Sequence, residues 1–182
     1  MSDGYKGSTI VYLREQVRIQ GEVLEKSLLE GLDAELRALY LETISMSWID
    51  VGLTARLFER AVPLLLSQVA DPQQEFGRRQ ARDQLSGIYR ILLRVVSVPM
   101  VIQQTARLWS TYHNRGQARA LREGDSNRGQ LIVEGYPTLP EIIRHNTTGY
   151  IVGTLELTSA RSIEVQEKFD DPRSWMWNVR WG

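Results

Sequence analysis

Few side chains of this sequence have both the type and the spacing that catalysis or metal binding requires. The sequence has two histidines, His113 and His145, and neither belongs to a His-Glu-x-x-His or other paired-histidine pattern. Asp170 and Asp171 could act as paired carboxylates, but beside Pro172 they are first of all residues of a turn between two strands. The sequence has no Gly-x-Ser-x-Gly elbow and no glycine-rich phosphate loop. We therefore expect no catalytic residue, no metal site, no cofactor and no enzyme activity.

Aromatic side chains at the end of a predicted helix and in the last predicted strand could instead line a pocket. Flat rings give a large contact area for an apolar or aromatic ligand at little cost in conformational entropy. The alternative is that the same rings belong to the hydrophobic core, where helices cover one face of a sheet. The pocket candidates are Trp109, Tyr112, His113, Tyr136, Trp175 and Trp177.

Four arginines have the spacing of one helical face. Their helix is predicted to begin at Asp71-Pro72, because aspartate caps helices and proline suits their first position, and to continue to Val96. Glu75 and Asp83 lie on the same predicted face, so the simplest interpretation is a solvated surface. The alternative is a surface that docks an acidic region of another protein. The arginines of this candidate partner surface are Arg79, Arg82, Arg90 and Arg94.

The elements that must position these residues belong to two parts of an α+β fold. In residues 1–116 the apolar residues recur every three or four positions, as in amphipathic helices, and Asp33 is suited to cap one of them. In residues 117–182 the period changes to two on either side of one further helix. We predict an N-terminal helical bundle followed by hairpin, helix and hairpin, whose strands form a four-stranded antiparallel sheet. We expect residues 1–182 to form one domain.

Composition limits the class of protein further. The chain of 182 residues has 22 Lys plus Arg, 22 Asp plus Glu and no cysteine. Balanced charge argues against sequence-independent nucleic-acid binding, and the lack of cysteine excludes disulfides and thiolate metal sites. The N-terminus lacks the pattern of a secretory signal, and the most apolar stretch, residues 88–100, is interrupted by Arg90, Arg94 and Pro99. We expect a cytoplasmic protein with no membrane span and no nucleic-acid partner.

Several segments taken together resemble a known family. They are Lys6-Gly7-Ser8, the segment around Trp48, Gly87-Ile88-Tyr89-Arg90, Leu108-Trp109-Ser110-Thr111-Tyr112 and the closing tryptophan strand. Over nearly the whole chain they resemble a family of stand-alone domains of unassigned function, found mainly in myxobacteria. The order of helices, hairpin, helix and hairpin is also similar to that of haem-dependent nitric-oxide/oxygen-binding sensors and of 4-vinyl-reductase-type small-molecule sensors. The resemblance implies a sensor or adaptor scaffold.

The sequence departs from both sensor groups at their binding residues. The haem sensors hold iron through a histidine on the helix before the sheet, where this sequence has Trp109, four residues before His113. Their Tyr-x-Ser-x-Arg motif holds the haem propionates and corresponds here to Tyr136-Pro137-Thr138-Leu139-Pro140, with proline in place of arginine. The 4-vinyl-reductase-type sensors often bind zinc through cysteines, which this chain lacks. The resemblance therefore implies a sensor-like fold without haem and without that zinc site.

The expected function follows from this fold and from the end of the sequence. The sequence stops at Gly182, directly after the last predicted strand, so we expect such a regulatory domain to act through a protein that it contacts. We expect a non-enzymatic signalling or scaffold protein with a regulatory or scaffold protein partner, and a homodimer is one form that such contact can take. The alternative is a small-molecule sensor with an apolar, aromatic pocket between helices and sheet.

Overall fold

The computed structural model describes residues 3–85, 87–123 and 126–182, except for the side chains of residues 88–90 and 92. The helices are α1 (Ser8–Gln20), α2 (Glu22–Gly31), α3 (Ala34–Glu42), α4 (Val51–Leu65), α5 (Pro72–Gln84), α6 (Ile88–Val95), α7 (Val98–Tyr112) and α8 (Glu141–Leu155). The strands are β1 (Gly4–Lys6), β2 (Trp48–Asp50), β3 (Gln117–Arg122), β4 (Arg128–Glu134), β5 (Ile163–Lys168) and β6 (Ser174–Trp181). The predicted α+β class is confirmed. None of the helices within the described residues has the length and apolar character that crossing a bilayer requires.

Aspartate side chains fix the starts of three helices. The carboxylate of Asp33 accepts a hydrogen bond from the backbone N–H of Leu36 at 2.9 Å, at the start of α3. Asp50 and Asp71 accept equivalent bonds at the starts of α4 and α5. The first N–H groups of a helix have no partner inside the helix, so each cap contributes about 1 kcal/mol of stability. The predicted starts at Asp33 and Asp71 are confirmed.

The helix predicted to continue from Asp71-Pro72 to Val96 is two helices. α5 ends at Gln84 and α6 begins at Ile88, and Gly87 between them has a φ of 66°, in the left-handed region that favours glycine. The single face predicted for the arginines is therefore wrong. α5 carries Arg79 and Arg82, whereas α6 carries Arg90 and Arg94.

A two-stranded sheet that the sequence analysis did not predict ties the N-terminus to the helices. β1 pairs antiparallel with β2, and Tyr5 lies opposite Ile49. Strands of three residues contain too little alternation to be recognised from a sequence. An isolated β-bridge joins Tyr5 to His113, so this arrangement places Tyr5 beside the C-terminal end of α7.

The C-terminal hairpins form one antiparallel sheet in the order β3-β4-β6-β5, which confirms the predicted four-stranded sheet. In the pairing of β4 with β6, Leu131 lies opposite Trp177 and Val133 lies opposite Trp175. These four side chains are buried, because α7 and α8 cover this face of the sheet. Alternation along β6 therefore directs its tryptophans into the core.

The backbones of α5 and α8 touch where the two helices cross. A Cβ atom at Gly149 of α8 would overlap the carbonyl oxygen of Gln74, and one at Gly77 of α5 would overlap the carbonyl oxygen of Asn146. Glycine at these two positions therefore permits an approach that any other residue would prevent. The same contact holds Asn146 directly beside α5.

Candidate functional site

A cavity of about 450 Å³ lies between α5, α6, α7 and α8, a volume within the range of small-molecule sites. Most of its wall is apolar, with Leu85, Leu93, Val101, Leu108 and Ile151 among the lining residues. Its lining in the described part of the chain contains no Lys, Arg, Asp or Glu. A buried charge without a partner is costly, so this wall favours an uncharged occupant.

The periodicity of the helices explains how the wall forms. α7 contributes a stripe at spacings of four, three and four residues, which places its members on one helical face. The members of this stripe are Val101, Thr105, Leu108 and Tyr112. α8 provides the opposite wall through Thr147 and Ile151, which are also four residues apart.

Three of the aromatic pocket candidates line this cavity at the C-terminal end of α7. They are Trp109, Tyr112 and His113. The imidazole of His113 stacks on the indole of Trp109 with ring centroids 3.8 Å apart and an angle of 6° between the planes. The indole N–H of Trp109 donates to the backbone carbonyl of Arg115 at 3.0 Å. Stack and hydrogen bond together fix both rings at one end of the cavity.

His113 is an uncharged histidine. It is only 4% exposed, and this burial lowers the pKa of its imidazole to about 3. Its Nδ1 atom has no hydrogen-bond partner among the described residues. The ring also contacts Tyr136 edge-on, with centroids 5.9 Å apart, so His113 lies between the cavity and the core beneath it.

The other three pocket candidates, Tyr136, Trp175 and Trp177, do not line the cavity and belong to the hydrophobic core. Their side chains are buried, and the two indoles have strong hydrogen bonds. The N–H of Trp175 donates to the backbone carbonyl of Tyr136 at 2.7 Å, and the N–H of Trp177 donates to the hydroxyl of Thr148 at 2.8 Å. Alternation along β6 explains the placement of the two tryptophans, because it directs both to the buried face of the sheet, where Trp177 contacts Thr148 and Trp175 contacts Arg144 of α8.

Polar side chains that the sequence analysis did not select form part of the cavity wall. Tyr5, Gln80 and Asn146 line it, although they come from β1, α5 and α8. Each is at most 5% exposed. One signal could have found Gln80, because it shares the buried face of α5 with Phe76 and the contact residue Gly77. A polar residue on an apolar face requires a partner, which makes it a candidate for a site.

The segment that corresponds to the propionate-binding motif of the haem sensors is occupied by an internal carboxylate. The hydroxyl of Thr138 donates to the carboxylate of Asp3, and the guanidinium of Arg115 contacts both oxygens of that carboxylate at 2.6 and 2.9 Å. The hydrogen bond from Thr138, followed by that from Arg115, lowers the pKa of Asp3 below its usual range. The hydroxyl and the nearest cation are therefore already paired with an anion of this chain.

The arginines of the candidate partner surface differ in their contacts. Arg79 forms an ion pair with Glu75 at 2.8 Å, and Arg82 forms one with Glu156 at 2.6 Å. Arg94 is exposed on α6 and has no ion pair within the described residues. The side chain of Arg90 lies outside the described residues. α5 thus has a largely neutralised surface, whereas Arg94 of α6 is a cation without an ion-pair partner in the part of the chain that the structure describes.

In residues 3–85, 87–123 and 126–182, no group of three His, Asp or Glu side chains is arranged so that it could hold a metal ion. His145 lies away from the cavity and contacts Glu167 at 3.0 Å and Glu141 at 3.4 Å. The pair of acidic residues Asp170 and Asp171 flanks the turn between β5 and β6, where Asp171 binds Arg173 at 3.0 Å. In the structure, Asp170 and Asp171 are therefore residues of a turn.

No protein-family model matches this chain, and no curated protein matches it. Solved structures do match. The Fe(II) unliganded H-NOX protein from K. algicida is 12% identical, with a TM-score of 0.68 over 97% of this chain and 96% of its own. The H-NOX protein from S. oneidensis in its Fe(II)NO state is also 12% identical, with a TM-score of 0.68 over 97% of this chain and 99% of its own. An oxygen-binding H-NOX domain related to soluble guanylate cyclases is 12% identical, with a TM-score of 0.61 over 96% and 92%. This chain has an H-NOX-like fold.

The H-NOX-like fold confirms the resemblance to the haem sensors, but the residues of the cavity do not fit haem. Two propionates need cations, and the described lining has none, while Arg115 and Thr138 are already bound to Asp3. The indole of Trp109 has no lone pair for iron, and its N–H is used by a backbone carbonyl. His113 also lines the cavity, with its ring stacked on Trp109 and its Nδ1 atom buried. The mismatch with haem therefore lies at the propionates and at Trp109.

Proposed function

We propose that this chain is a haem-independent, non-enzymatic sensor domain of the cytoplasm, which binds a small, uncharged and mostly apolar molecule in the cavity and signals to a protein partner. The observation that carries the proposal is a cavity of about 450 Å³ with no charged side chain in its described lining. An apolar ligand there buries no charged group, and it gains about 25 cal/mol for each Å² of apolar surface that is removed from water. The H-NOX-like fold supports a sensor role by analogy.

Haem content provides the first test. We expect the purified protein, prepared from cells supplied with a haem precursor, to show no Soret absorbance band. The S. oneidensis H-NOX protein, prepared in parallel, is the positive control because its structure is of an Fe(II)NO form. A stoichiometric haem content in this chain would contradict the haem-independent part of the proposal.

Occlusion of the cavity provides the second test. N-phenyl-1-naphthylamine, an uncharged apolar dye whose emission rises in apolar surroundings, serves as the probe. Thr105 lines the cavity from α7, so we expect Thr105→Trp to weaken dye binding roughly tenfold or more by filling the space. Ser110→Trp is the matched control, because Ser110 is exposed on the same helix and does not line the cavity. Equal dye binding by wild type and Thr105→Trp would place the binding site elsewhere.

The solvent-exposed face of α6 is suited to contact another protein, and such contact would be the output of the sensor. Leu93 of α6 lines the cavity together with Val96, directly after the helix. Ile91 and Val95 of α6 are 66% and 81% exposed, beside the cation of Arg94. Opposite faces of one short helix thus contact the cavity and the solvent. A ligand that displaces the inner face also moves the outer face, which gives a partner or a second copy of this chain a state to recognise.

Charge reversal on α6 tests this output. We expect Arg94→Glu to reduce the recovery of partner proteins that co-purify with the wild-type chain from its native cell. Arg107→Glu, at an exposed position of α7, is the matched control for the change in net charge. Recovery that falls equally with both variants would indicate a general effect of charge, and unchanged recovery with Arg94→Glu would exclude this surface.

A further inference from the structure

Three buried polar side chains lie together at one part of the cavity wall. The hydroxyl of Tyr5 faces the Oδ1 atom of Asn146 at 3.5 Å, and the Nε2 atom of Gln80 faces the hydroxyl of Thr9 at 3.4 Å. Thr9 also lies beside Tyr5, and Gly77, one turn before Gln80, touches the backbone of Asn146. The polar end of the cavity, as we call Tyr5, Gln80 and Asn146, is therefore one connected group.

The hydrogen bonds of this polar end are incomplete. Its three polar contacts, at 3.5 Å, 3.4 Å and, from the Nδ2 atom of Asn146 to the carbonyl of Gln73, 3.5 Å, lie at the long limit for a hydrogen bond. The Oε1 atom of Gln80 has no partner among the described residues, although Gln80 is only 1% exposed. A buried acceptor without a donor destabilises a protein unless something else supplies that donor.

We infer that the ligand of this cavity is an uncharged apolar molecule with a hydroxyl group, and that the hydroxyl binds Gln80 at the polar end. This inference rests on the proposed function and specifies its ligand class. A hydroxyl both donates and accepts, so it satisfies the amide of Gln80 in either orientation of its oxygen and nitrogen. The apolar body then occupies the wall formed by residues such as Leu93, Val101 and Leu108. A carboxylate does not suit the site, because the described lining offers no cation.

Three probes of nearly equal shape separate these properties. They are 4-phenylphenol, 4-methylbiphenyl and biphenyl-4-carboxylate, and their affinities for the wild-type chain are measured by displacement of N-phenyl-1-naphthylamine. We expect 4-phenylphenol to bind roughly tenfold more tightly than 4-methylbiphenyl, because only the phenol satisfies Gln80. Biphenyl-4-carboxylate is expected to bind more weakly than either uncharged probe.

Substitution of Gln80 tests whether this residue causes the preference for 4-phenylphenol over 4-methylbiphenyl. We expect Gln80→Met to bind both uncharged probes with equal affinity. Gln73→Met is the matched control, because Gln73 is also buried with an unpartnered Oε1 atom but does not line the cavity, so its preference for the phenol should remain tenfold. The comparison of probes on the wild-type chain does not depend on either variant being folded.

Each outcome has a distinct meaning. Equal binding of 4-phenylphenol and 4-methylbiphenyl by the wild type would overturn the hydroxyl inference and leave the proposed sensor function intact. A failure of both uncharged probes to bind would overturn the proposed function as well. Tighter binding of the carboxylate would show a cationic site and contradict both. A preference for the phenol that persists in Gln80→Met would contradict the assignment to Gln80.

Discussion

α8 separates two regions of the molecule that differ in how closely their side chains pack. Toward the sheet it packs on Trp177, whose indole N–H donates to Thr148 at 2.8 Å, and nearby side chains leave little space. Toward α7 it lines a cavity through Thr147 and Ile151, and the neighbouring polar contacts are near 3.5 Å. One helix thus contributes to a closed core on one face and to an open site on the other.

The difference indicates that the sheet side of α8 contributes more to the stability of the fold than the cavity side does. Close packing and short hydrogen bonds stabilise a single arrangement, and the sheet side has both. A cavity forfeits the contacts that filled space would provide, and the polar contacts beside this one are long, near 3.5 Å. Local departures from good packing are typical of functional sites. We therefore assign ligand binding to the cavity side of α8 and stabilisation of the fold to the sheet side.

Truncation on each side provides the largest expected contrast. Trp177 is fully buried, so we expect Trp177→Ala to lower the free energy of unfolding by about 3–5 kcal/mol. Leu108 lines the cavity and is 48% exposed, so we expect Leu108→Ala to lower it by about 1 kcal/mol or less. Urea unfolding followed by circular dichroism measures both. Losses of similar size would show that the cavity side is packed as tightly as the sheet side, and the comparison would fail.

Much of the fold could be predicted from the sequence because its signals are local. The carboxylates of Asp33 and Asp71 cap helices within three residues, and the alternation along β6 identifies its buried face without knowledge of its partner strands. The break between α5 and α6 was not predicted, because the apolar period continues across Gly87 and only its backbone angle reveals the end of the helix. The short strands β1 and β2 depend on pairing between distant segments.

The candidate site could be predicted only in part, for the same reason. Trp109, Tyr112 and His113 are adjacent in the sequence, so their position at the end of one helix follows from a local pattern. The polar end of the cavity joins β1, α5 and α8, and no periodicity within one element indicates that these segments meet. That Trp175 and Trp177 lie in the core depends likewise on their contacts with a distant segment, α8.

The pH dependence of stability tests whether His113 belongs to the closed core or to the open cavity, since its ring contacts both. Burial lowers the pKa of His113 to about 3 in the folded chain, whereas an unfolded histidine has a pKa of about 6.5. As the pH falls below about 6.5, the unfolded state takes up a proton that the folded state does not, so the folded chain loses stability. Between pH 6 and pH 5 we expect this histidine to remove about 1 kcal/mol from the free energy of unfolding.

Comparison with His113→Gln isolates this effect, since every other ionisable residue is the same in both proteins. We expect urea unfolding of the wild type to lose about 1 kcal/mol more than that of the variant between pH 6 and pH 5. Parallel losses would mean that His113 takes up its proton while folded, with water or a counter-charge reaching it from the cavity. The open region would then extend past the stack with Trp109 to the ring of Tyr136, and the closed region would begin only at the sheet.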